Sequence, residues 1–140
     1  MICYKTDLAD VDWTAAAEVF KRAPLGSRDP EVLERAFRNS YACVLACDGQ
    51  KLVGLARAIC DGVDQAVVYD MVLLPEFQKR GIGKRMMDEL LKQIPASNII
   101  LYSVPGREGF YAKCGFKKMR TAMAILHPCM SNPEHGYVEA

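Results

Sequence analysis

The sequence predicts an α/β chain (α+β mixed sheet), with about six to seven strands flanked by about four helices. Three observations carry that expectation. Several segments place apolar residues at the 3.6-residue spacing of an amphipathic helix, and others alternate as half-buried strands do. The run 66–74 is apolar on both parities, as a central strand buried on both faces should be. A glycine-bearing junction then leads from that run into an amphipathic helix. With 140 residues and no repeat, low-complexity tract or linker, the chain reads as one domain over 1–127 with a tail at 128–140.

Taken in order, Ile2 to Lys5 forms a short strand. Asp12 caps a helix that carries Trp13, Ala16, Ala17 and Phe20 in one stripe. After a loop through Pro24 and Gly26, Asp29-Pro30 opens a second helix with Val32, Leu33, Ala36 and Phe37 inward. Tyr41 to Cys47 and Leu52 to Ile59 flank Asp48-Gly49, a hairpin signal. Asp61-Gly62 turns the chain into Ala66 to Leu74, where Asp70 is the one charge. Pro75 ends that strand, and Gly81 to Ile94 follows as a helix before Pro95. Asn98 to Val104 reads as a strand, Pro105-Gly106 as a turn, and Arg107 to Cys114 as a short helix with Gly115 at its left-handed C′ position. Phe116 to Met119 and Ala122 to Leu126 read as two last strands, and the tail beyond as loose or as an added edge.

Composition narrows the function. Eighteen cations against seventeen anions leave a formal charge of +1, which argues against broad electrostatic binding to nucleic acid or to an anionic membrane. No apolar run approaches the roughly 20 residues that span a bilayer, and the first residues lack a signal peptide's apolar stretch, so the expected location is cytoplasmic. The six cysteines include no Cys-x-x-Cys pair and the two histidines lie near the end, so no metal site is expected. Cys43 and Cys47 are read as small buried hydrophobes.

Chemistry concentrates at the strand-to-helix junction Gln78-Lys79-Arg80-Gly81-Ile82-Gly83-Lys84-Arg85. Two glycines there let the backbone curl so that successive N–H groups aim at one point, and the helix dipole adds partial positive charge. Lys79, Arg80, Lys84 and Arg85 supply fixed charge suited to a pyrophosphate. A Walker A loop needs Gly-x-x-x-x-Gly-Lys-Ser/Thr, and a dinucleotide fingerprint needs a third glycine where Met86 stands. Nucleoside triphosphates and NAD are thereby disfavoured.

With its approach Leu73-Leu74-Pro75-Glu76-Phe77, this junction resembles the Gln/Arg-x-x-Gly-x-Gly/Ala signature of the GNAT superfamily, the acyl-CoA-dependent N-acetyltransferases. Phe110-Tyr111-Ala112-Lys113-Cys114-Gly115-Phe116 resembles a second motif of that family, and the order of elements over about 1–127 agrees. The resemblance implies that the fourth and fifth strands splay and that acetyl-CoA is the cosubstrate. Pantetheine would pair near Met71 and Leu73, and the pyrophosphate would sit on the amides of Arg80, Gly81, Ile82, Gly83 and Lys84, with Gln78 and Lys79 leading in. It implies direct attack of an amine on the thioester, with Tyr111 as general acid and the Leu73 N–H as oxyanion donor. The glutamate base of some protein-lysine acetyltransferases in the family falls on Val67 and is absent; Asp70 is the candidate base, or else a structural carboxylate, with Tyr69 as an alternative holder of water. Pro105-Gly106-Arg107 replaces an asparagine that many members carry. The cationic loop 21–29 would disfavour a polycationic acceptor. The expected function is acetylation of a small-molecule primary amine. A protein lysine or N-terminal acetyltransferase and a non-catalytic CoA-binding sensor are the alternatives, and a homodimer is one assembly open to the chain.

Overall fold

A computed structural model describes all residues from Met1 to Ala140. Its chain order is β1 (Ile2–Lys5), α1 (Trp13–Arg22), α2 (Pro30–Arg38), β2 (Ala42–Asp48), β3 (Lys51–Cys60), β4 (Gln65–Leu73), α3 (Ile82–Leu91), β5 (Asn98–Ile100) and α4 (Glu108–Lys113), with single 3₁₀ turns at Pro75–Phe77 and Pro133–His135. The strands make one mixed sheet in the order β1-β2-β3-β4-β5, in which only β4 and β5 run parallel. The chain divides into two compact units, Met1–Leu101 and Tyr102–Ala140.

In the first unit, local chemistry sets the element starts. The Asp12 carboxylate accepts from the Ala15 N–H at 3.1 Å, and Asp29 accepts from the N–H groups of Glu31 and Val32, so the caps address one orphan donor of α1 and two of α2. Of the first stripe, Ala16 and Phe20 are buried together with Val19, whereas Trp13 and Ala17 are half-buried. On α2 only Leu33 and Phe37 are buried; Val32, expected inward, is exposed because a nine-residue helix shows one narrow face to the sheet. The Asp48-Gly49 hairpin forms, with Gly49 at φ +60°. At the next turn Asp61 accepts from the N–H groups of Val63, Asp64 and Gln65, which holds its carboxyl down at about 2.

Both faces of the sheet are covered. On β3, Gly54, Ala56 and Ala58 lie on one face and Val53 and Leu55 on the other, and all are buried. A side chain at Gly54 would meet Met86 Sδ, Leu73 Cδ1 and the Val72 carbonyl at 3.0 Å, so glycine is what lets α3 approach there. The opposite face meets α1 and α2, with the Arg57 guanidinium 6.0 Å from the Phe37 ring centroid. On β4, Ala66, Val68, Val72 and Leu73 are buried while Val67, Tyr69 and Met71 are half-buried, so burial on both faces is complete only at the strand's C-terminal end, at Val72 and Leu73.

In the second unit α4 ends as expected, with Gly115 at φ +96° and the Phe116 N–H donating to the Tyr111 carbonyl. Two expectations fail. Residues 98–104 form a strand only over Asn98–Ile100, and 116–119 and 122–126 form none, so the sheet has five strands rather than six or seven. Residues 117–126 donate no backbone hydrogen bond within the chain, and Met123 and Ile125 stand 96% and 103% exposed. Alternating apolar residues become a strand only where a neighbouring edge supplies ladder partners. The tail, expected to be loose or to add an edge, instead turns through Pro133–His135, brings Gly136 against Pro105, and stacks Tyr137 edge-on to Tyr102 at 6.1 Å.

Candidate functional site

The first feature is an open edge. Parallel pairing of β4 with β5 stops at Val67–Ile100, while β4 itself runs on to Leu73. Against β3, the pairing is Ala56 with Met71 but Arg57 with Tyr69, so Asp70 is an extra residue, a β-bulge, and it takes φ +39°. Beyond the bulge the Leu74 N–H donates to the Val53 carbonyl at 2.9 Å. Because bonded and non-bonded pairs alternate along an antiparallel ladder, Leu55–Val72 is also a bonded pair, and the N–H and C=O groups of Met71 and Leu73 point away from β3. They face the side where β5 has ended. The Leu73 carbonyl accepts from Gln78 Nε2 at 2.9 Å, so on this edge the N–H groups of Met71 and Leu73 and the Met71 carbonyl remain for a partner.

The second feature is the start of α3, tied to that edge by the same Gln78 bond. Lys79 at φ +60° and Gly81 at φ +81° both take left-handed backbone, two residues apart, which produces the curl that the glycines suggest. Gly81 is the N-cap and therefore offers no side chain to the first-turn amides. A Cβ built on Gly81 meets nothing within 4 Å, so the approach to these amides is open. The surrounding cations divide into two groups. Lys84 pairs with Asp88 at 2.7 Å and Arg85 with Glu89 at 3.0 Å along the helix, which offsets their charge. Arg80 lies with its guanidinium 5.1 Å from the Phe77 ring centroid and Lys79 is exposed, so these two carry the positive field of the loop. Gln78 itself braces the loop through Leu73.

The third feature surrounds Asp70. The sequence suggests a lone carboxylate among apolar residues; the structure places it between two guanidiniums. Arg57 Nε donates to Asp70 Oδ2 at 2.6 Å, and Arg28 Nη2 lies 3.5 Å from Oδ1. Arg57 is fixed further by the Ser40 hydroxyl at 3.3 Å and by the Tyr69 ring at 5.3 Å. Both carboxylate oxygens are thus engaged, which favours a binding role over proton transfer. Arg57 went unremarked in the sequence, although one signal was available: it is the only charge inside 52–59 and lies across the hairpin from the only charge inside 66–74. Arg28 also lines a hollow of about 180 Å³ with Thr14, Ala17, Glu18, Lys21 and Ser27, where both signs of charge are present.

Asp70, Met71, Leu73 and the loop Gln78 to Lys84 therefore belong to one compact unit. Tyr111 belongs to the second. Its ring is half-buried, edge-on to Phe110 at 5.1 Å and to Phe116 at 6.3 Å, and burial pushes its phenol above the ordinary value. The hydroxyl therefore keeps its proton at neutral pH, as a donor must.

Residues 39–118, which include the open edge, the glycine loop and Tyr111, match the acetyltransferase (GNAT) domain family. The chain belongs to the GNAT family. Among curated relatives, this GNAT chain is 37% identical over 113 residues to a rice protein named serotonin N-acetyltransferase 2, chloroplastic, covering 76% of this chain and 56% of the relative. It is 36% identical over 104 residues to an Arabidopsis thaliana protein named GCN5-related N-acetyltransferase 1, chloroplastic, covering 70% and 52%. The chain thus spans about half the length of these curated relatives. Among solved structures, a GNAT-family acetyltransferase from Streptococcus pneumoniae superposes with TM-score 0.78 at 30% identity, over 91% of this chain and 99% of that one.

Proposed function

We propose that this GNAT protein transfers the acetyl group of acetyl-CoA to the primary amine of a small molecule. One observation carries the reading: an uncapped, glycine-opened start of α3 is joined through Gln78 to a strand edge whose outward N–H groups have lost their strand neighbour. The first feature suits a pyrophosphate and the second suits an extended amide-bearing chain, and acetyl-CoA has both parts in one molecule. When bound, it supplies a thioester open to direct attack by an amine.

The chain's own residues then divide the work. Lys79, Arg80 and the amides from Gly81 to Lys84 bind the diphosphate. The N–H groups of Met71 and Leu73 donate to carbonyl oxygens, and near the reacting carbon such fixed donors stabilise developing negative charge without reorganising. Tyr111 holds a proton for the departing sulfur. Asp70, held between Arg28 and Arg57, serves the acceptor side by charge, and removal of the amine proton falls to water or to an amine that arrives neutral.

The small-molecule reading draws support from the rice relative, whose name assigns it serotonin; the cations expected to repel a polycationic acceptor do not carry it, because Arg22 pairs with Glu76 and Arg28 with Asp70. The test is release of CoA thiol across a panel of small amines, lysine peptides and N-terminal peptides. Turnover confined to small amines supports the reading; turnover confined to peptides replaces it with protein acetylation; acetyl-CoA binding without turnover replaces it with a sensor. A cytoplasmic location is likewise our proposal. No helix is long and apolar enough to cross a membrane, whereas both plant relatives are named chloroplastic, and imaging of the tagged full-length protein decides between the compartments.

A further inference from the structure

The three charges at the bulge of β4 are not equivalent. Arg57 is welded to Asp70. Its Nε···Oδ2 distance is 2.6 Å, its side chain is 16% exposed, and it holds a second partner in the Ser40 hydroxyl, which itself donates to the Ala36 carbonyl at 2.7 Å. Arg28 is attached more loosely. Its nearest nitrogen stands 3.5 Å from Oδ1, beyond the usual range of a charge-assisted hydrogen bond, and its side chain is 36% exposed. It sits on the loop joining α1 to α2, with its guanidinium 4.6 Å from the centroid of Phe20. One oxygen of a carboxylate that is only 10% exposed therefore rests against an exchangeable cation.

We infer that the acceptor is a zwitterion, an amine that carries its own carboxylate, bound by exchange within this ion pair. Its ammonium replaces Arg28 at Asp70 Oδ1, and its carboxylate takes the Arg28 guanidinium. The inference rests on the acetyl-transfer reading and narrows its substrate class. Charge conservation selects the zwitterion. A plain amine satisfies Asp70 but releases Arg28 to solvent, and a plain acid satisfies Arg28 but leaves Oδ1 without its second cation. Only a molecule bearing both signs gives each displaced partner a replacement of the same sign: the 10% exposed Asp70 keeps its second cation, and the Arg28 guanidinium gains a carboxylate in place of water. The planar guanidinium of Arg28 also matches a carboxylate in a way that a lysine would not. Arg57 stays in place throughout and keeps Asp70 pointed at the exchange site. Asp70 adjoins Met71, whose N–H lies on the open edge, so the ammonium would bind one residue from the proposed acyl site.

The experiment uses matched pairs that differ only in the carboxylate, tryptophan with tryptamine and phenylalanine with phenethylamine. Thiol release is measured with the full chain and with Arg28→Gln, first shown to be folded by circular dichroism because the Arg28 guanidinium also packs 4.6 Å from the centroid of the buried Phe20 ring. The expected result is that the parent prefers the amino acid of each pair by about tenfold or more in kcat/KM, and that Arg28→Gln narrows this preference by raising KM for the amino acid more than for the plain amine. Arg28→Lys should recover part of the preference, which a merely structural role would not predict. A parent without preference, or a preference that Arg28→Gln leaves unchanged, overturns the inference while acetyl transfer stands. Absence of thiol release with every amine overturns the transfer reading, and the inference falls with it.

Discussion

Tyr111, the proposed general acid, is the residue at which the proposed function makes its most direct statement about rate. Its phenol is shifted upward by burial, with a smaller contribution from neighbouring Cys114 and an opposing one from Arg107. Tyr111→Phe keeps the ring packing against Phe110 and Phe116 and removes only the proton donor. We expect kcat to fall by roughly 100-fold to 10,000-fold, with part recovered by water, and acetyl-CoA affinity measured by calorimetry to stay unchanged. A parental kcat in the variant would remove Tyr111 from the mechanism. The same shift has a stability consequence. A group whose folded value is raised leaves stability intact below its unfolded value, about 10 for tyrosine, and costs stability as pH climbs above it. Tyr111→Phe should therefore lose less of its Tm than the parent between neutral pH and pH about 11, a comparison that thermal unfolding across pH resolves.

At the scale of the element, α3 and its approach are the test. The left-handed backbone at Gly81 disfavours any L side chain, while the space beyond its Cα is open. Gly81→Ala should fold with a cost of about 1 kcal/mol and bind acetyl-CoA more weakly. Gly81→Asp places a carboxylate where the diphosphate would lie, and should abolish binding in a chain whose circular dichroism is native. Unchanged affinity in a folded Gly81→Asp variant would remove the glycine loop from the cosubstrate site. Helix caps behave more simply. Asp29 satisfies two first-turn amides, so Asp29→Ala should lower stability by about 1 kcal/mol in urea unfolding, and Asp29→Asn by less.

For the whole molecule, the division into Met1–Leu101 and Tyr102–Ala140 makes protection from hydrogen exchange the informative measurement. β3 lies between two strands with buried residues on both faces, so its amides should be among the slowest to exchange. Residues 117–126 have no backbone acceptor within the chain and should exchange at nearly unprotected rates. Slow exchange across 117–126 would show that these residues do pair as strands in solution, restoring the six or seven that alternation alone suggests.

Periodicity, punctuation and caps made four helices, the hairpin and the central strand legible from the amino-acid sequence, because each rests on contacts between residues near in the chain. The glycine junction and the Phe110-Tyr111 motif were legible for the same reason, since a curl needs glycine locally and a motif is contiguous by nature. Only the tertiary structure decided what depends on distant partners. Whether 116–119 and 122–126 become strands depends on a neighbouring edge, not on their own alternation. The bulge that makes Asp70 an extra residue is a property of the β3–β4 register, since one residue more on β4 than on β3 can be seen only when the strands are paired. Asp70 looked isolated because Arg57, thirteen residues away, and Arg28, on another loop, meet it only after folding. The sequence determined which groups this protein has for binding and proton transfer; the fold determined which of them face a cation, and so what each can do.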